Sequence, residues 1–261
     1  MTNLNEIERE EVKKLLVLAT LAGRLMLKAG AETYRVEDTV MRICQSRKDI
    51  QYVDAFVIPT GIFISLEYKG ELISYIKRVK NISIDLNKIA LVNEFSRTFV
   101  SSHMSIEDGI REIKRINKIH IYSNFTQAFF GAIASSFFCL LFQGTSMDFI
   151  AAFVVSFIVS FLLSFVSSLK LSFFIDKFIA SVFISILSYL FIKLGIGNSL
   201  DKVIIGAIMP LVPGVAITNA IRDTMSGDFM SGLSRGMEAV FSALAIAFGV
   251  GIVLIFFIGG Y

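Results

Sequence analysis

The sequence predicts a cytoplasmic α+β domain followed by an all-α membrane domain of about five transmembrane helices. Three observations carry that prediction. The chain is 54% hydrophobic and only 18% charged, which separates it from ordinary soluble domains. Its charges are uneven: residues 1–126 hold 19 basic and 16 acidic residues, residues 127–261 six of each. The charged part alternates helical and period-two hydrophobic patterns, while the rest contains apolar runs long enough to cross a bilayer. The expected boundary gives 1–120 as the cytoplasmic domain and 121–261 as the membrane domain.

The elements follow in order. Residues 6–29 place Val12, Leu15, Leu16, Ala19, Ala22, Leu25 and Met26 at helical spacing before Gly30 interrupts them. A second helix fits Thr33 to Arg47, with Val36, Val40, Ile43 and Cys44 inward. Ile62, Ile64 and Leu66 alternate with Phe63, Ser65 and Glu67, and Leu72–Val79 alternates similarly. Those are two strands, joined by a Lys69-Gly70 turn. Tyr52 to Ile58, ending at Pro59, is a candidate third strand. A helix over about Ile84–Ser101 follows, and Ser105-x-x-Asp108 has the form of a capping box opening another helix through Lys118.

Five apolar segments come next: Phe125–Phe142, Phe149–Leu169, Leu171–Leu194, Val203–Ile221 and Ala239–Ile258. Arg111, Lys114, Arg115 and Lys118 precede the first, so the positive-inside rule puts the N-terminal domain in the cytoplasm. The acidic start Met1–Glu11 lacks the basic and apolar regions of a secretory signal, in keeping with that side. Parity then puts Met147-Asp148 outside, Lys170 inside, Gly195–Lys202 outside, Arg222–Asp228 inside and Gly259–Tyr261 outside.

The charges from Asp201 to Glu238 lie among the last apolar segments, where each buried charge carries a cost of about 2.5–3.5 kcal/mol even on lenient insertion scales. Pro210 and Pro213 fall in the middle of the fourth span and each removes a backbone donor. Either they kink a packed helix or, with Gly214, they break it and leave carbonyls for a solute, as transporters do. Asn219 and Asp223 share a helical face beside Arg222. Asp228, Ser231, Arg235, Glu238 and Ser242 recur at steps of three and four, drawing a polar stripe opposite Phe229, Met230, Leu233, Met237, Phe241 and Leu244. Gly232-x-x-x-Gly236 offers a close helix contact. Arg235 and Glu238, one turn apart, are spaced to pair.

Two readings of this stripe remain open. It is a lining for a small zwitterion or anion, Arg235 meeting a carboxylate and Glu238 or Asp223 an ammonium or a proton. Or Asp228–Glu238 is a solvated juxtamembrane turn whose long side chains snorkel, since Ala239–Ile258 suffices to span. Asp176-Lys177 fits an interface. Ser156, Ser160, Ser164 and Ser167 fit helix packing.

In the first domain, Gly30-Ala31-Glu32-Thr33-x-Arg35-Val36-Glu37 and Pro59-Thr60-Gly61 fit a ligand or interface surface, or simply capping and a turn. Cys44 and Cys139 lack metal-ligand spacing, and His103 and His120 stand apart from them. No cofactor or metal is implied. The net charge of +3 and the absence of a basic patch interleaved with aromatics argue against a nucleic-acid partner. No phosphate loop, nucleophile elbow or HExxH is present, against ATP-driven transport, and a membrane-embedded hydrolase is the lesser alternative. Asp223 and Asp228, five apart beside Gly227, have no evident shared geometry for a paired-carboxylate enzyme. A membrane-anchored ligand sensor or scaffold is the other alternative.

The set Gly30-Ala31-Glu32-Thr33-Tyr34-Arg35-Val36-Glu37, Leu211-Val212-Pro213-Gly214, Asn219-Ala220-Ile221-Arg222-Asp223, Gly227-Asp228 and Gly232-x-x-Arg235-x-x-Glu238-Ala239 resembles the threonine/serine exporter family. The resemblance runs from about Leu15 to Phe257. It implies a non-enzymatic secondary exporter of the inner membrane, moving small hydroxy amino acids or a related small carboxylate outward, driven by the proton gradient. It also implies the longer component of a two-component version, with a second membrane subunit of about five helices and homo- or hetero-oligomeric assembly. Carried across, Pro213, Gly214, Asn219, Arg222, Asp223, Asp228, Arg235 and Glu238 match the family motif.

Overall fold

The computed structural model describes residues 2–47, 50–80, 82–102, 104–119, 122–166 and 172–257. His103, His120, Ser167, Lys170 and Gly259–Tyr261 lie outside the described residues. The order is α1 (Thr2–Lys28), α2 (Thr33–Cys44), β1 (Ile50–Ile58), β2 (Gly61–Tyr68), β3 (Glu71–Arg78), α3 (Leu86–Ser101) and α4 (Ile106–Lys118). Then come α5 (Asn124–Leu141), α6 (Ser146–Val166), α7 (Phe173–Lys193), α8 (Leu200–Ile208), a 3-10 turn (Met209–Leu211), α9 (Gly214–Met225) and α10 (Phe229–Phe257). By contacts the chain forms two units, Met1–Ile121 with Val215–Gly236, and Tyr122–Gly214 with Met237–Tyr261.

In the first unit, β1, β2 and β3 form an antiparallel sheet in sequence order. Phe56 opposes Phe63 and Tyr68 opposes Glu71. The period-two reading holds: Ile62, Ile64 and Leu66 are buried, joining Leu15, Leu16, Met26, Val36, Val40 and Phe99 in one core. Both residues of the Lys69-Gly70 turn have positive φ, 50° and 79°, the twist that suits a two-residue hairpin. The Asp85 carboxylate accepts from the Lys88 N–H to open α3, and Ser105 accepts from the Asp108 N–H to open α4. The second helix stops at Cys44 rather than Arg47: the Gln45 N–H closes the last α-helical bond, to the Met41 carbonyl, and the Ser46 N–H then tightens to the Ile43 carbonyl three residues back.

The second unit holds α5 to α8 and the C-terminal part of α10. Among the described residues, four helices are long and apolar enough to cross a membrane, α5, α6, α7 and α10, or five when the interrupted pair Leu200–Leu211 and Gly214–Met225 counts as one span. Small residues let these helices approach. The Ser135 and Ser156 hydroxyls bond at 2.8 Å between α5 and α6. A Cβ on Gly206 would meet the Cys139 Cβ at 2.7 Å, and one on Gly249 would meet the Phe178 carbonyl oxygen at 2.8 Å. The serines therefore serve packing at Ser156, as expected.

Asp148 is no simple loop residue. Its carboxylate accepts from the Thr145 N–H and hydroxyl at 2.8 Å each, and from the Asn198 and Ser199 N–H groups at 2.6 and 2.8 Å. Thr145 Oγ1 accepts from the Asp148 N–H in return, completing a capping box for α6. One buried carboxylate thus ties the α5–α6 turn to the α7–α8 turn.

The prolines do interrupt the fourth span. Pro210 lies within the 3-10 turn, whose Val212 N–H bonds the Met209 carbonyl at 3.2 Å, and α9 starts afresh after Pro213. The last span differs from the expected Ala239–Ile258. It belongs to a continuous helix of 29 residues starting at Phe229, so Asp228–Glu238 is not a juxtamembrane turn after its first residue. The local reason is Gly227 at φ 92°, which lets the Asp228 N–H reach the Asp223 carbonyl at 2.8 Å and the chain reverse into α10.

Candidate functional site

The site begins at the turn between α1 and α2. Gly30 has φ 86°, and the Ala31 N–H bonds the Met26 carbonyl while the Gly30 N–H bonds that of Leu27. That is a Schellman ending, which needs the positive φ that glycine adopts without strain. The turn leaves the Gly30 and Ala31 carbonyls and the first N–H of α2 without backbone hydrogen-bond partners among the described residues. Glu32, the residue before α2, supplies no side-chain cap.

Residues nearly two hundred positions later meet those three groups. Asn219 Nδ2 donates to the Gly30 carbonyl at 2.8 Å, and Arg235 Nη2 donates to that of Ala31 at 2.7 Å. Asp223 Oδ1 accepts from the Thr33 N–H at 3.1 Å and from the Thr33 hydroxyl at 2.9 Å, so Asp223 caps α2 in place of Glu32. The same hydroxyl lies 3.2 Å from Asp228 Oδ2. Arg222 Nη1 pairs with Glu32 Oε1 at 2.5 Å, and Arg35 Nη1 with Glu32 Oε2 at 3.3 Å.

Two helices carry these partners. A Cβ on Gly232 would meet Thr224 Oγ1 at 2.1 Å and the Ala220 carbonyl oxygen at 2.9 Å, so α9 and the start of α10 touch backbone to backbone. This contact sets Arg235 against Asp223, with Nε 3.0 Å from Oδ2. Both side chains are buried, Arg235 at 4% exposure and Asp223 at 0%. The approach is an ion pair outside hydrogen-bond alignment, and neither atom has a hydrogen-bond partner among the described residues.

The charges compensate one another. Arg35, Arg222 and Arg235 face Glu32, Asp223 and Asp228. Burial opposes ionisation of Glu32, but its own backbone N–H, Arg222 and Arg35 outweigh it and hold the carboxyl below its usual range. Glu37 shows the opposite balance. Burial pushes it up to about 7, aided by Asp228, Asp54 and Asp223 and opposed by the Val57 N–H, which donates to it at 2.8 Å.

The structure therefore gathers Gly30, Glu32, Thr33, Arg35, Asn219, Arg222, Asp223, Asp228 and Arg235, with Glu37 alongside. It corrects two expectations. Arg235 pairs with Asp223 rather than Glu238, which is exposed and forms no ion pair among the described residues. Asp223 and Asp228 do share a geometry, converging on the Thr33 hydroxyl. Pro210, Pro213 and Gly214 belong to the interruption before α9. There Lys177, expected at an interface, donates from Nζ to the Leu211 carbonyl at 2.5 Å, supplying a donor where the helix ladder stops. No group of residues that could hold a metal occurs among the described residues.

Residues 17–257 match the family described as "Putative threonine/serine exporter". The uncharacterized protein C16A10.01 of Schizosaccharomyces pombe is 28% identical over 175 residues, 64% of this chain. That match spans 21% of the yeast protein's length. No solved structure matches the chain. With the family match covering nearly the whole chain, and its apolar helices and N-terminal sheet in place, the chain belongs to the threonine/serine exporter family.

Proposed function

We propose that the chain is one subunit of a secondary transporter, completed by a second membrane subunit of about five helices, that exports threonine, serine or a related small carboxylate from the cytoplasm, with proton movement as the driving force. The observation that carries this reading is the buried Arg235–Asp223 pair, 3.0 Å apart, with Asp228 beside it. A free amino acid is a zwitterion, and adjacent opposite charges suit its two ends: Arg235 takes the carboxylate and Asp223 the ammonium. Enclosure raises the value of both contacts relative to water.

Family membership supports export as the direction. The basic residues of α4 ahead of the first span support a cytoplasmic first unit by the positive-inside rule. Glu37, titrating at about 7 beside Asp223 and Asp228, is the group best placed to exchange a proton near neutrality. Pro210, Pro213 and Gly214 provide the interrupted helix at which a solute would cross.

The test is a flux panel. Proteoliposomes containing the chain together with its second membrane subunit are loaded with labelled threonine, serine, alanine, valine or succinate, and efflux is followed with and without an imposed pH gradient. Efflux of threonine and serine above alanine and valine, accelerated by the gradient, supports the reading. Equal leakage of all five refutes it.

A further inference from the structure

We infer that the Ala31-Glu32-Thr33 turn is a built-in imitation of the substrate, occupying the head-group site until a hydroxy amino acid displaces it. The inference rests on the export reading and concerns regulation and hydroxyl selectivity at that same site.

The atoms match by chemistry. Arg235, the cation assigned to a substrate carboxylate, donates to the Ala31 carbonyl oxygen at 2.7 Å. Asp223, assigned to the ammonium, accepts the Thr33 N–H at 3.1 Å. The remaining contact is what separates threonine and serine from other amino acids: a hydroxyl, here that of Thr33, between Asp223 Oδ1 at 2.9 Å and Asp228 Oδ2 at 3.2 Å. A carbonyl oxygen, an amide N–H and a β-hydroxyl thus stand where a carboxylate, an ammonium and a β-hydroxyl would bind. The turn supplies the first two in weaker, uncharged form and the hydroxyl unchanged.

The imitation is also imperfect where a true substrate would improve it. Arg235 Nε and Asp223 Oδ2 are buried and in ion-pair contact, yet neither forms an aligned hydrogen bond among the described residues. A neutral carbonyl and a single N–H leave those two atoms to each other. A carboxylate accepts more donors than a carbonyl, and an ammonium gives three protons where the amide gives one. Charge-assisted bonds are roughly twice as strong as neutral ones, so free ligand competes favourably. Asp228 and Asp223 are then the residues that read the hydroxyl.

The site's apparent affinity is lowered by the fraction of molecules in which the turn is seated. Weakening the turn therefore strengthens substrate binding. Thr33→Val keeps the shape and the N–H but removes the hydroxyl. The expected result, by titration of full-length protein in detergent with threonine, is an affinity about 10-fold tighter than wild type. A second measurement uses wild-type protein: hydrogen exchange across residues 30–36, with 10 mM threonine and with 10 mM alanine as probes, on the order of concentrations that would saturate a weak site. Threonine should release protection of the turn several-fold more than alanine does.

Threonine transport with Thr33→Val binding unchanged or weaker, and with protection of 30–36 unaltered, overturns the imitation and leaves the exporter standing. Absence of threonine or serine binding and flux in both wild type and Thr33→Val overturns the export reading and the imitation with it.

Discussion

Arg235 and Asp223 form a buried ion pair, Nε to Oδ2 at 3.0 Å, across the turn between α9 and α10. Each is also bound to the α1–α2 turn, Arg235 to the Ala31 carbonyl and Asp223 to Thr33. Removing one partner strands the other charge away from water, which typically costs about 3–5 kcal/mol. Arg235→Ala and Asp223→Ala should each lower the unfolding midpoint of the detergent-solubilised protein. The double variant should lose much less than the two losses combined. Simple additivity in that cycle would show that the pair is not coupled.

The GxxxG spacing in α10 is asymmetric in what it tolerates. A side chain at Gly232 collides with Thr224 Oγ1 and the Ala220 carbonyl, whereas at Gly236 the nearest atom, the Ala220 Cβ, is 4.0 Å away. Gly232→Val should therefore destabilise by at least about 2 kcal/mol, an overpacking cost, and reduce flux by displacing Arg235 from Asp223. Gly236→Ala should change either by less than about 0.5 kcal/mol. Equal sensitivity of the two positions would argue against the observed helix contact.

Glu37 gives a pH dependence with a definite sign. Its carboxyl titrates at about 7 in the folded protein against 4.5 ordinarily. The stabilisation is full below 4.5 and lost as pH rises through about 7, because the folded state then holds the proton more tightly than the unfolded one. Glu37→Gln keeps an acceptor for the Val57 N–H and carries no charge. Thermal unfolding should show it more stable than wild type at pH 8, on the order of 1 kcal/mol after allowance for partial exposure, and indistinguishable at pH 4. A difference independent of pH would remove Glu37 as the titrating group.

Lys177 meets the interrupted span through the Leu211 carbonyl. Lys177→Met retains most of the apolar stem but leaves that carbonyl without its donor, at a cost of about 1–3 kcal/mol. Threonine efflux at saturating substrate should fall several-fold, while Lys193→Met, at the last turn of α7, leaves it unchanged. Parallel effects at both lysines would indicate a general charge effect.

The sequence made much of this visible for local reasons. Alternation in β2, the Lys69-Gly70 turn and the Ser105 cap are patterns within a few residues, and each appears as read. The proline break was legible because a missing N–H is a property of the residue itself. What was not legible is pairing at a distance. Asp223 meets Thr33 across 190 positions, and nothing in helical spacing distinguishes Asp223 from Glu238 as the partner of Arg235. The start of α10 was misplaced because apolarity locates where a helix can cross a membrane, while polar residues such as Ser231, Arg235 and Glu238 belong to the same helix with a different neighbour. Thr145-x-x-Asp148 has the spacing of a capping box and could have marked the α6 start. The Lys177 contact required knowing which carbonyl the break would expose.

The most direct measurement of the central claim is efflux of labelled threonine from proteoliposomes bearing Arg235→Lys or Asp223→Asn, with each variant's insertion and fold checked by its unfolding transition. Lysine keeps the charge but not the planar fork, and asparagine keeps the shape but not the charge. The account predicts that both variants stay folded and lose at least about 10-fold in threonine efflux, equivalent to roughly 1.4 kcal/mol of lost transition-state stabilisation. Wild-type rates in both folded variants would contradict it, since the buried pair would then be structural and the route for substrate would lie elsewhere.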